Sequence, residues 1–516
     1  MGLHTRVFPS FLSDFGNPIS AVNAANDHLS SVFVKRDAEL SNKFDFMDIS
    51  DEPRTFFIHP NSVYKAIVTY STNKSIGSDL IPIKLYKSVA HCISNVVCHI
   101  FNECIRTCTF PDIWKVAHIS CIPKIPNASI TDIRPISLLP FLSKIFERFL
   151  FDQYSYIFLN NFGKNQFGFR PKSSTACALI YLHDFITKRL DEPDYNGVQL
   201  LCYDFTRALD KVSHDVILKR LCSCNFPRSF VALMSSYLTD RRQHVRIGST
   251  ISNPTSVTSG VPQGSVLGPA LFSLVVSTFD CQNSINCVVK YADDFAIACP
   301  LYSNANNYHV LEEHNNFCNW AASNLLLINH SKSKCIVFGN SQNAQSLPTF
   351  SILHEIKLLG VYFSSDLKWD CHIRYILRIA TRRLYALRIL KNVINRENLT
   401  IIYQALIRST LEYCSPLFVG LNVKNSILLE KIQTRAHSII CNNECICTYH
   451  SLKERRILAA RKLLDSISND NSHILFSILP RKSTNCIGRF IQPYSRTARR
   501  SKSFFPFIVD AINSLI

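Results

Sequence analysis

Tyr291-Ala292-Asp293-Asp294 places two adjacent carboxylates between two mostly apolar runs, residues 285–290 and 295–298. Apolar runs around a short polar step predict two β-strands joined by a tight turn. Aspartate is uncommon inside strands, and two neighbouring anions repel each other unless a cation lies between them. Carboxylate oxygens are the ligands that magnesium prefers. Two interpretations are open: a metal site, or an exposed hairpin turn that contains aspartate.

A third aspartate follows a strand that lies far away in the sequence. Residues 198–203 predict a strong strand that ends on Asp204, and α/β enzymes place their chemistry at the carboxyl ends of core strands. With Asp293 and Asp294 it supplies what two-metal phosphoryl transfer requires, because carboxylates there hold two ions ~4 Å apart. A metal-dependent nuclease would use the same acids.

Two further features suit a phosphate-bearing ligand. Residues 259–265 form a loop rich in Gly and Pro before an apolar helix predicted over residues 266–276, and such a loop lets the backbone approach a ligand closely. Lys124 and Arg134 flank a predicted hairpin that would bring both charges onto one phosphate group. The alternative for these two residues is a pair of ordinary surface cations.

Composition places the chain among globular proteins. It has 516 residues and 47% hydrophobic content, which predicts several domains or one large multi-lobed enzyme. No apolar run approaches the ~18 residues of a membrane span, and the N-terminus lacks the apolar stretch of a secretory signal. Twenty cysteines are therefore predicted to be reduced and mostly buried. The group Cys441, Cys445, Cys447 and His450 has no recognisable zinc spacing.

The positive charge is concentrated in the C-terminal third. Residues 371–516 contain 23 Lys and Arg against 8 Asp and Glu, which accounts for 15 of the net charge of +18. A basic region beside a nearly neutral body predicts a face that binds a polyanion such as nucleic acid. A solubilising surface of helices is the alternative. The tail also carries Arg496, Arg499, Arg500 and Lys502, a candidate cluster for nuclear entry or phosphate binding.

Three of these stretches resemble the palm motifs of a reverse transcriptase of a non-LTR (LINE-like) retrotransposon of the jockey type. They are Asp204-Phe205-Thr206-Arg207-Ala208-Leu209-Asp210, Gly260-Val261-Pro262-Gln263-Gly264-Ser265-Val266-Leu267-Gly268-Pro269 and Tyr291-Ala292-Asp293-Asp294. The sequences around Lys124, Arg134-Pro135-Ile136-Ser137 and Phe167-Gly168-Phe169-Arg170 resemble finger motifs. Asn329 to Lys332, Leu359-Gly360-Val361, and Tyr403 to Pro416 with Gln433 to Ala436 resemble the later lysine motif, the primer grip and the thumb.

The resemblance implies an α+β fold shaped as a right hand, with fingers, a palm built on an antiparallel sheet, a helical thumb and a basic helical C-terminal extension. We expect a helical N-terminal extension over residues 1–103, fingers and palm over 104–365, and thumb and C-terminal region over 366–516. The resemblance also implies that the chain is an RNA-directed DNA polymerase that acts inside the cell, in nucleus or cytoplasm, with no membrane partner. Its substrates would be an RNA template, a DNA primer and deoxynucleoside triphosphates.

The resemblance also assigns roles to residues. Asp204 and Asp293 are expected as the principal catalytic metal ligands with Asp294 in support, and two Mg²⁺ ions, or Mn²⁺, would be held by Asp204, Phe205, Asp293 and Asp294. The expected nucleotide-binding residues are Lys124, Arg134, Leu209, Gln263, Gly264 and Lys332. Among these, Lys124 and Arg134 would hold the triphosphate, and Lys332 would give a proton to the pyrophosphate leaving group.

Leu209 departs from the family pattern, which usually has an aromatic residue there that excludes a ribose 2′-hydroxyl. A smaller side chain predicts relaxed sugar discrimination. Full-length elements also carry an endonuclease ahead of the polymerase, and residues 1–60 are too short for one. The expectation is therefore a polymerase-only fragment, a truncated element or a decaying copy, and the alternative function is a catalytically decayed relic that still binds nucleic acid.

Overall fold

The computed structural model describes residues 15, 17–34, 56–125, 128–304, 306–348, 350–441, 450–482 and 490–514. Helices and strands both contribute, so the predicted α+β class is confirmed. None of the helices in these described ranges combines the length and apolarity needed to span a bilayer. The cysteines within the same ranges are free thiols.

The helices and strands are given in chain order. The helices are α1 Pro18–Ser30, α2 Pro60–Thr69, α3 Ile83–Ser88, α4 Ala90–Thr107, α5 Asp112–Lys115, α6 Phe141–Asn161, α7 Thr175–Arg189, α8 Ala208–Lys211, α9 His214–Ser223, α10 Arg228–Leu238, α11 Gly268–Val276, α12 His309–Ser323, α13 Asp370–Leu390, α14 Arg396–Ile402, α15 Ser409–Glu412, α16 Val423–Cys441, α17 Leu452–Ser468, α18 Ala498–Ser501 and α19 Phe504–Asn513. The strands are β1 Val116–Pro123, β2 Ile133–Leu138, β3 Tyr195–Tyr203, β4 Arg241–Ile247, β5 Thr250–Ile251, β6 Thr255–Val257, β7 Cys287–Tyr291, β8 Asp294–Tyr302, β9 Lys334–Gly339, β10 Ile352–Leu353, β11 Glu355–Leu358 and β12 Val361–Ser364.

The chain forms two compact units, each assembled from separate stretches. Unit 1 contains residues 1–163, 205–279 and 319–327. Its sheet has the order β2-β1-β4-β5, with β6 also paired to β4. Helix α1 covers this sheet, and its Val22 and Leu29 pack with Ile119 and Val245. The hairpin predicted around Lys124 and Arg134 is confirmed as the antiparallel pair β1–β2.

Unit 2 contains residues 164–204, 280–318 and 328–516. Its main sheet has the order β10-β9-β3-β8-β7, and β3 pairs antiparallel with both β8 and β9. Because β3 lies between two strands under helix α7, Val198, Leu200 and Leu201 are all fully buried, as expected for a strand covered on both faces. The pair Ser174-Thr175 predicts a helix start, and helix α7 begins there: Ser174 Oγ accepts a hydrogen bond from Cys177 N at 3.2 Å.

The C-terminal part of unit 2 is helical, as predicted. Helices α13, α14, α16 and the start of α17 share one core, in which Ile376, Leu384, Leu399 and Ile432 are buried. The segment Tyr403–Arg408 between α14 and α15 is a π-helix.

Local apolar patterns predict three further elements that differ from the structure in their bounds. Residues 84–106, predicted as one helix, are divided into α3 and α4 at Val89, whose ψ of 10° is not helical. The helix predicted over residues 320–327 begins earlier, at His309, and ends at Ser323. Residues 356–362, predicted as a strand that forms one arm of a hairpin, contain parts of both arms, β11 and β12, with the turn between them.

Candidate active site

The two adjacent aspartates lie on a tight hairpin in unit 2, as the sequence predicts. Strands β7 and β8 pair with Tyr291 opposite Asp294, so Ala292 and Asp293 form a two-residue turn. Ala292 has a φ of 57°, a left-handed conformation that residues with a Cβ rarely adopt. The surrounding structure must therefore hold this turn in place.

The sheet brings the distant Asp204 to the same place. Strands β3 and β8 are antiparallel with Tyr203 opposite Phe295. One further step in the same register sets Asp204, directly after β3, opposite Asp294 at the start of β8. Neighbouring strands lie about 4.8 Å apart. Three carboxylates from two separate stretches thus meet at one end of the sheet.

The pKa of Asp294 reflects the closeness of these carboxylates. Desolvation by the surrounding protein, followed by the negative charges of Asp293 and Asp204, raises the pKa of Asp294 to about 6. Asp294 is nevertheless exposed by surface area, so the neighbouring carboxylates are the better-supported cause. Like charges at this separation favour either a shared proton or a bound cation.

The donor set suits a hard divalent cation. Carboxylate oxygens come from Asp204, Asp293 and Asp294 of unit 2, whereas Phe205 belongs to unit 1. Within the described ranges, no group of three or more His, Cys, Asp or Glu side chains is arranged closely enough to hold a metal ion by itself, so these three aspartates do not form a complete ligand set. Magnesium commonly binds one or two carboxylates and takes its other ligands from water and substrate phosphates. The carboxylates present fit such a partly open site.

The turn that contains Lys332 fixes the backbone of Asp204. Asn329 N donates to Asp204 O at 2.7 Å, and Asp204 N donates to Ser333 Oγ at 3.2 Å. Ser333 Oγ in turn donates to Asn329 O at 2.9 Å. Lys332 itself is exposed at the tip of this turn. The stretch that resembles the lysine motif therefore also fixes the main chain of Asp204, a role that the sequence does not reveal.

The stretch around Gly168 supports the turn from the other side. Phe167 N donates to Lys290 O at 2.8 Å, and Lys290 N donates to Asn165 O at 2.9 Å, so the chain here pairs with β7. A Cβ on Gly168 would lie 2.4 Å from Ala292 N. Only glycine allows this approach. The sequence indicates a glycine-centred turn here but not that it touches the hairpin that carries Asp293.

In unit 1, the glycine loop that contains Gln263 and Gly264 is attached to strand β2. Gln263 O accepts a hydrogen bond from Ser137 N at 2.7 Å, and Gln263 Nε2 donates to Asp210 Oδ1 at the same distance. Gly264 has a φ of 122°, and a Cβ there would lie 2.7 Å from Ser137 O. The positive φ and the close approach at Gly264 restrict the backbone of the loop, and this restriction fixes the position of Gln263.

A buried glutamate that the sequence analysis did not identify holds the end of this loop. Glu147 of helix α6 is fully buried, and its Oε2 accepts hydrogen bonds from Val266 N at 2.8 Å and Leu267 N at 3.1 Å. Burial raises the pKa of Glu147, although these hydrogen bonds oppose that effect. A carboxylate at the amino end of a helix is stabilising, and here it orients α11 behind the loop.

The two predicted triphosphate cations occupy one face of the β1–β2 hairpin. Arg134 pairs with Ile122, and Lys124 N donates to Asp132 O at 2.9 Å as the ladder continues. Side chains two residues apart on a strand share a face, so Lys124 and Arg134 lie on the same side. Both are exposed.

Leu209 lies on helix α8 of unit 1 and is half-buried. Its carbonyl accepts a hydrogen bond from Val261 N at 2.8 Å. Its backbone is thus tied to the glycine loop, although the two segments are far apart in the sequence.

The structure bears on two weaker candidates from the sequence, the basic tail cluster and the cysteine group. Arg500 of the tail cluster is buried and donates to Asp184 Oδ1 at 2.6 Å, so it supports the fold and is not available for phosphate binding. Cys441 is buried, while Cys445 and Cys447 lie outside the described residues.

Comparison with known proteins finds a family match in the middle of the chain. The family described as Reverse transcriptase (RNA-dependent DNA polymerase) matches residues 122–363. This chain contains a reverse transcriptase domain. The domain includes all of the expected catalytic and nucleotide-binding residues and ends within strand β12.

Relatives of the reverse transcriptase domain belong to mobile elements. The chain is 32% identical over 279 residues to the "Probable RNA-directed DNA polymerase from transposon BS" of Drosophila melanogaster, covering 52% of this chain and 29% of that protein. It is 29% identical to the X-element polymerase of the same species, covering 82% and 48%. It is also 29% identical to the jockey polymerase of Drosophila funebris, covering 61% and 36%. The chain thus spans less than half the length of these relatives.

Proposed function

We propose that this chain is the RNA-directed DNA polymerase of a jockey-type non-LTR retrotransposon. It would extend a DNA primer on an RNA template with deoxynucleoside triphosphates, by two-metal nucleotidyl transfer. The observation that carries the proposal is the register of β3 and β8, which sets Asp204 opposite Asp294 beside Asp293 within the matched domain.

In this proposal Asp204 and Asp293 are the principal metal ligands. Asp294 supports them, and the carbonyl of Phe205 adds an oxygen. Magnesium, or manganese, when bound would supply the positive charge that stabilises the attacking and leaving oxygens. The raised pKa of Asp294 gives the electrostatic reason for a cation to bind, since a cation relieves the repulsion among the carboxylates.

The nucleotide would be held by the residues that the family pattern assigns. Lys124 and Arg134, on one face of their hairpin, would contact the triphosphate, because two cations on a shared face suit a polyanion. Gln263 and Gly264 would contact the incoming nucleotide and template, and Leu209 would border its sugar. Lys332 would donate the proton to the pyrophosphate leaving group.

The predicted division at residues 103/104 and 365/366 is retained in the proposal, with a helical thumb beginning at 366. The basic helices of that region would grip the template–primer duplex through its phosphates. The element's polymerase would act inside the cell, in nucleus or cytoplasm, and without a membrane partner.

Primer extension tests the proposal. Purified protein is incubated with an RNA template, a DNA primer, deoxynucleotides and Mg²⁺, and the extended primer is measured. We expect Mg²⁺-dependent extension that Asp293→Asn abolishes, because the variant lacks a principal metal ligand. Asp510→Asn, an exposed aspartate of helix α19, is the matched control and should extend normally.

The decayed relic is the second candidate, favoured by Leu209 in place of an aromatic residue. It predicts binding to an RNA–DNA duplex that weakens steeply with salt but no synthesis with Mg²⁺ or Mn²⁺. Equal extension by wild type and Asp293→Asn would contradict both candidates.

A further inference from the structure

A second concave surface lies in unit 2 and uses none of the residues assigned to polymerisation. It is a groove of about 750 Å³ between helix α7 with the turn after it and the C-terminal segments 477–481 and 491–494. This volume is large enough for more than one nucleotide-sized group.

The C-terminal wall of the groove is fixed to the fold at several points. Asp191 accepts the N–H groups of Arg496 and Thr497 at 2.7 and 2.8 Å. Gln492 Nε2 donates to Pro506 O at 2.9 Å, and Ile491 N donates to Arg481 O at 2.7 Å. The buried ion pair of Arg500 with Asp184 adds a further attachment. The wall therefore has a defined shape before any partner binds.

Apolar and aromatic side chains remain exposed on this fixed wall. Tyr494 is 81% exposed and Ile491 is 55% exposed, although the backbone on both sides of them is hydrogen-bonded. Across the groove, Tyr181 and Phe185 of α7 are only half-buried. An exposed aromatic ring on a rigid backbone loses little entropy when a planar group stacks on it.

The charge of the groove is positive once paired groups are set aside. Asp184 binds Arg500 and Glu192 lies 2.7 Å from Arg189, whereas Asp191 accepts two backbone N–H groups and keeps its negative charge, so the two remaining cations exceed it by one positive charge. Lys188 and Arg481 are exposed and make no ion pair with a residue of the described ranges. Two exposed cations beside aromatic rings attract an anion that carries planar groups.

We propose that this groove binds a single-stranded segment of RNA. Single-strand sites combine a basic groove that follows the backbone with aromatic side chains on which bases stack. Tyr494 would receive a base, and Lys188 and Arg481 would contact the flanking phosphates. An acidic peptide would satisfy the cations but leave Tyr494 without a stacking partner. The choice of RNA rests on the proposed function, in which the template is RNA with an unpaired stretch beyond the primer.

The test uses the full chain without Mg²⁺ or deoxynucleotides, so its result is independent of polymerase activity. A fluorescent uridine strand of about 12 nucleotides is bound at increasing protein concentration. Tyr494→Ala should weaken binding by about 5-fold to about 150-fold, since stacking contributes about 1–3 kcal/mol per base. The pair Lys188→Gln and Arg481→Gln should weaken binding and also reduce its salt dependence.

Controls separate the groove from general effects. Tyr308→Ala, another exposed tyrosine of unit 2, and a double variant of the exposed Lys84 and Lys219 should bind as wild type. Photo-crosslinking with a 4-thiouridine strand should label the peptide that contains Tyr494.

Three outcomes would overturn the proposal. They are crosslinks only elsewhere, unchanged binding by Tyr494→Ala, and displacement of the strand by an acidic peptide but not by unlabelled RNA. A DNA strand that binds more tightly than the RNA strand would overturn the choice of RNA. If any of these results is obtained with a protein that is active in primer extension, the proposed function stands and only the RNA-binding role of the groove is rejected.

Discussion

Asp294 differs from an ordinary aspartate because partial desolvation and two neighbouring carboxylates raise its pKa to about 6. The unfolded chain releases this proton near the usual value of 3.8. Between these values the folded protein binds more protons than the unfolded chain, so stability falls as pH rises through this window and stays lower above it. A neutral side chain at this position should remove that penalty.

Asp294→Asn should therefore melt at a higher temperature than wild type near pH 7 in EDTA, with the difference closing at about pH 4. Added Mg²⁺ should raise the melting temperature of wild type more than that of the variant, because ligand binding stabilises the folded state. Thermal unfolding across this pH range measures both effects, with Asp510→Asn as the control. A difference that does not change with pH would contradict the assignment.

Leu209 offers a test of selectivity at the same scale. Its carbonyl is bonded to Val261 N, so a larger side chain would project from a fixed backbone. Leu209→Phe should raise the preference for deoxynucleotides over ribonucleotides by about tenfold or more in kcat/KM. Leu209→Met, with a similar volume, should leave the ratio near wild type. Steady-state incorporation of both nucleotide types measures it, and a ratio unchanged by phenylalanine would show that this side chain does not border the sugar.

Residues with a local signal were predictable, whereas residues that act through distant partners were not. Asp204 follows an apolar strand and Asp293 stands at a turn, and both patterns are visible within a few positions. Glu147 was missed because its partner Val266 lies 119 residues away. Ser333 was missed because a serine in a loop gives no indication that it accepts the N–H of Asp204.

At the scale of elements, the hairpin β11–β12 depends on one tyrosine outside it. Its turn places two successive residues at positive φ, Leu359 at 45° and Gly360 at 86°. Hairpins favour such turns, but leucine pays for the conformation in strain. Tyr413 Oη donates to Leu359 O at 2.8 Å and lies 3.0 Å from Thr175 Oγ1. The turn belongs to the stretch that resembles a primer grip.

Tyr413→Phe should loosen this turn without emptying any space. Loss of one hydrogen bond costs about 1 kcal/mol, so we expect the KM for primer–template to rise about fivefold while kcat changes little. Tyr308→Phe is the matched control. A fall in melting temperature with no change in KM would mean that Tyr413 serves only the fold.

The hairpin also shows why elements were partly mispredicted. Residues 356–362 are apolar enough to indicate one strand. Leu359, at the first turn position, gives no local sign that the chain direction reverses there. Helix α4 was joined to α3 in prediction because Val89 carries no helix-breaking side chain. In both cases packing selected a backbone conformation that local preference does not favour.

At the scale of the molecule, the sequence predicted the α+β class and the basic C-terminal third. The division into three continuous domains stays a prediction, and the two compact units of the structure are each assembled from separate stretches. Strand β3, which ends at Tyr203, pairs with β8 and β9, which begin only at Asp294 and Lys334. Pairing over such distances is set by the burial of whole strands and has no local signature.

Helix α13 of unit 2 carries the clearest basic surface of that third. Arg374, Arg378 and Arg382 are spaced by four residues and exposed, and none makes an ion pair with a described residue. This spacing places them on one face of the helix, while Ile376 and Leu384 are buried in the helical core. They are suited to contact successive phosphates of a duplex.

Replacing all three arginines with glutamine should weaken binding to an RNA–DNA duplex and flatten its salt dependence. Each lost phosphate contact lowers the slope of log K against log salt by about 0.9, so the triple variant should lose up to about 3 units of slope. Fluorescence anisotropy across a salt series measures it, with Lys84→Gln and Lys219→Gln as charge controls. Arg383 is left intact because it donates to Leu406 O and Thr410 Oγ1. Weaker binding with an unchanged slope of log K against log salt would indicate that the substitutions alter the fold. That result would also mean that the duplex contacts lie on another surface of the basic region.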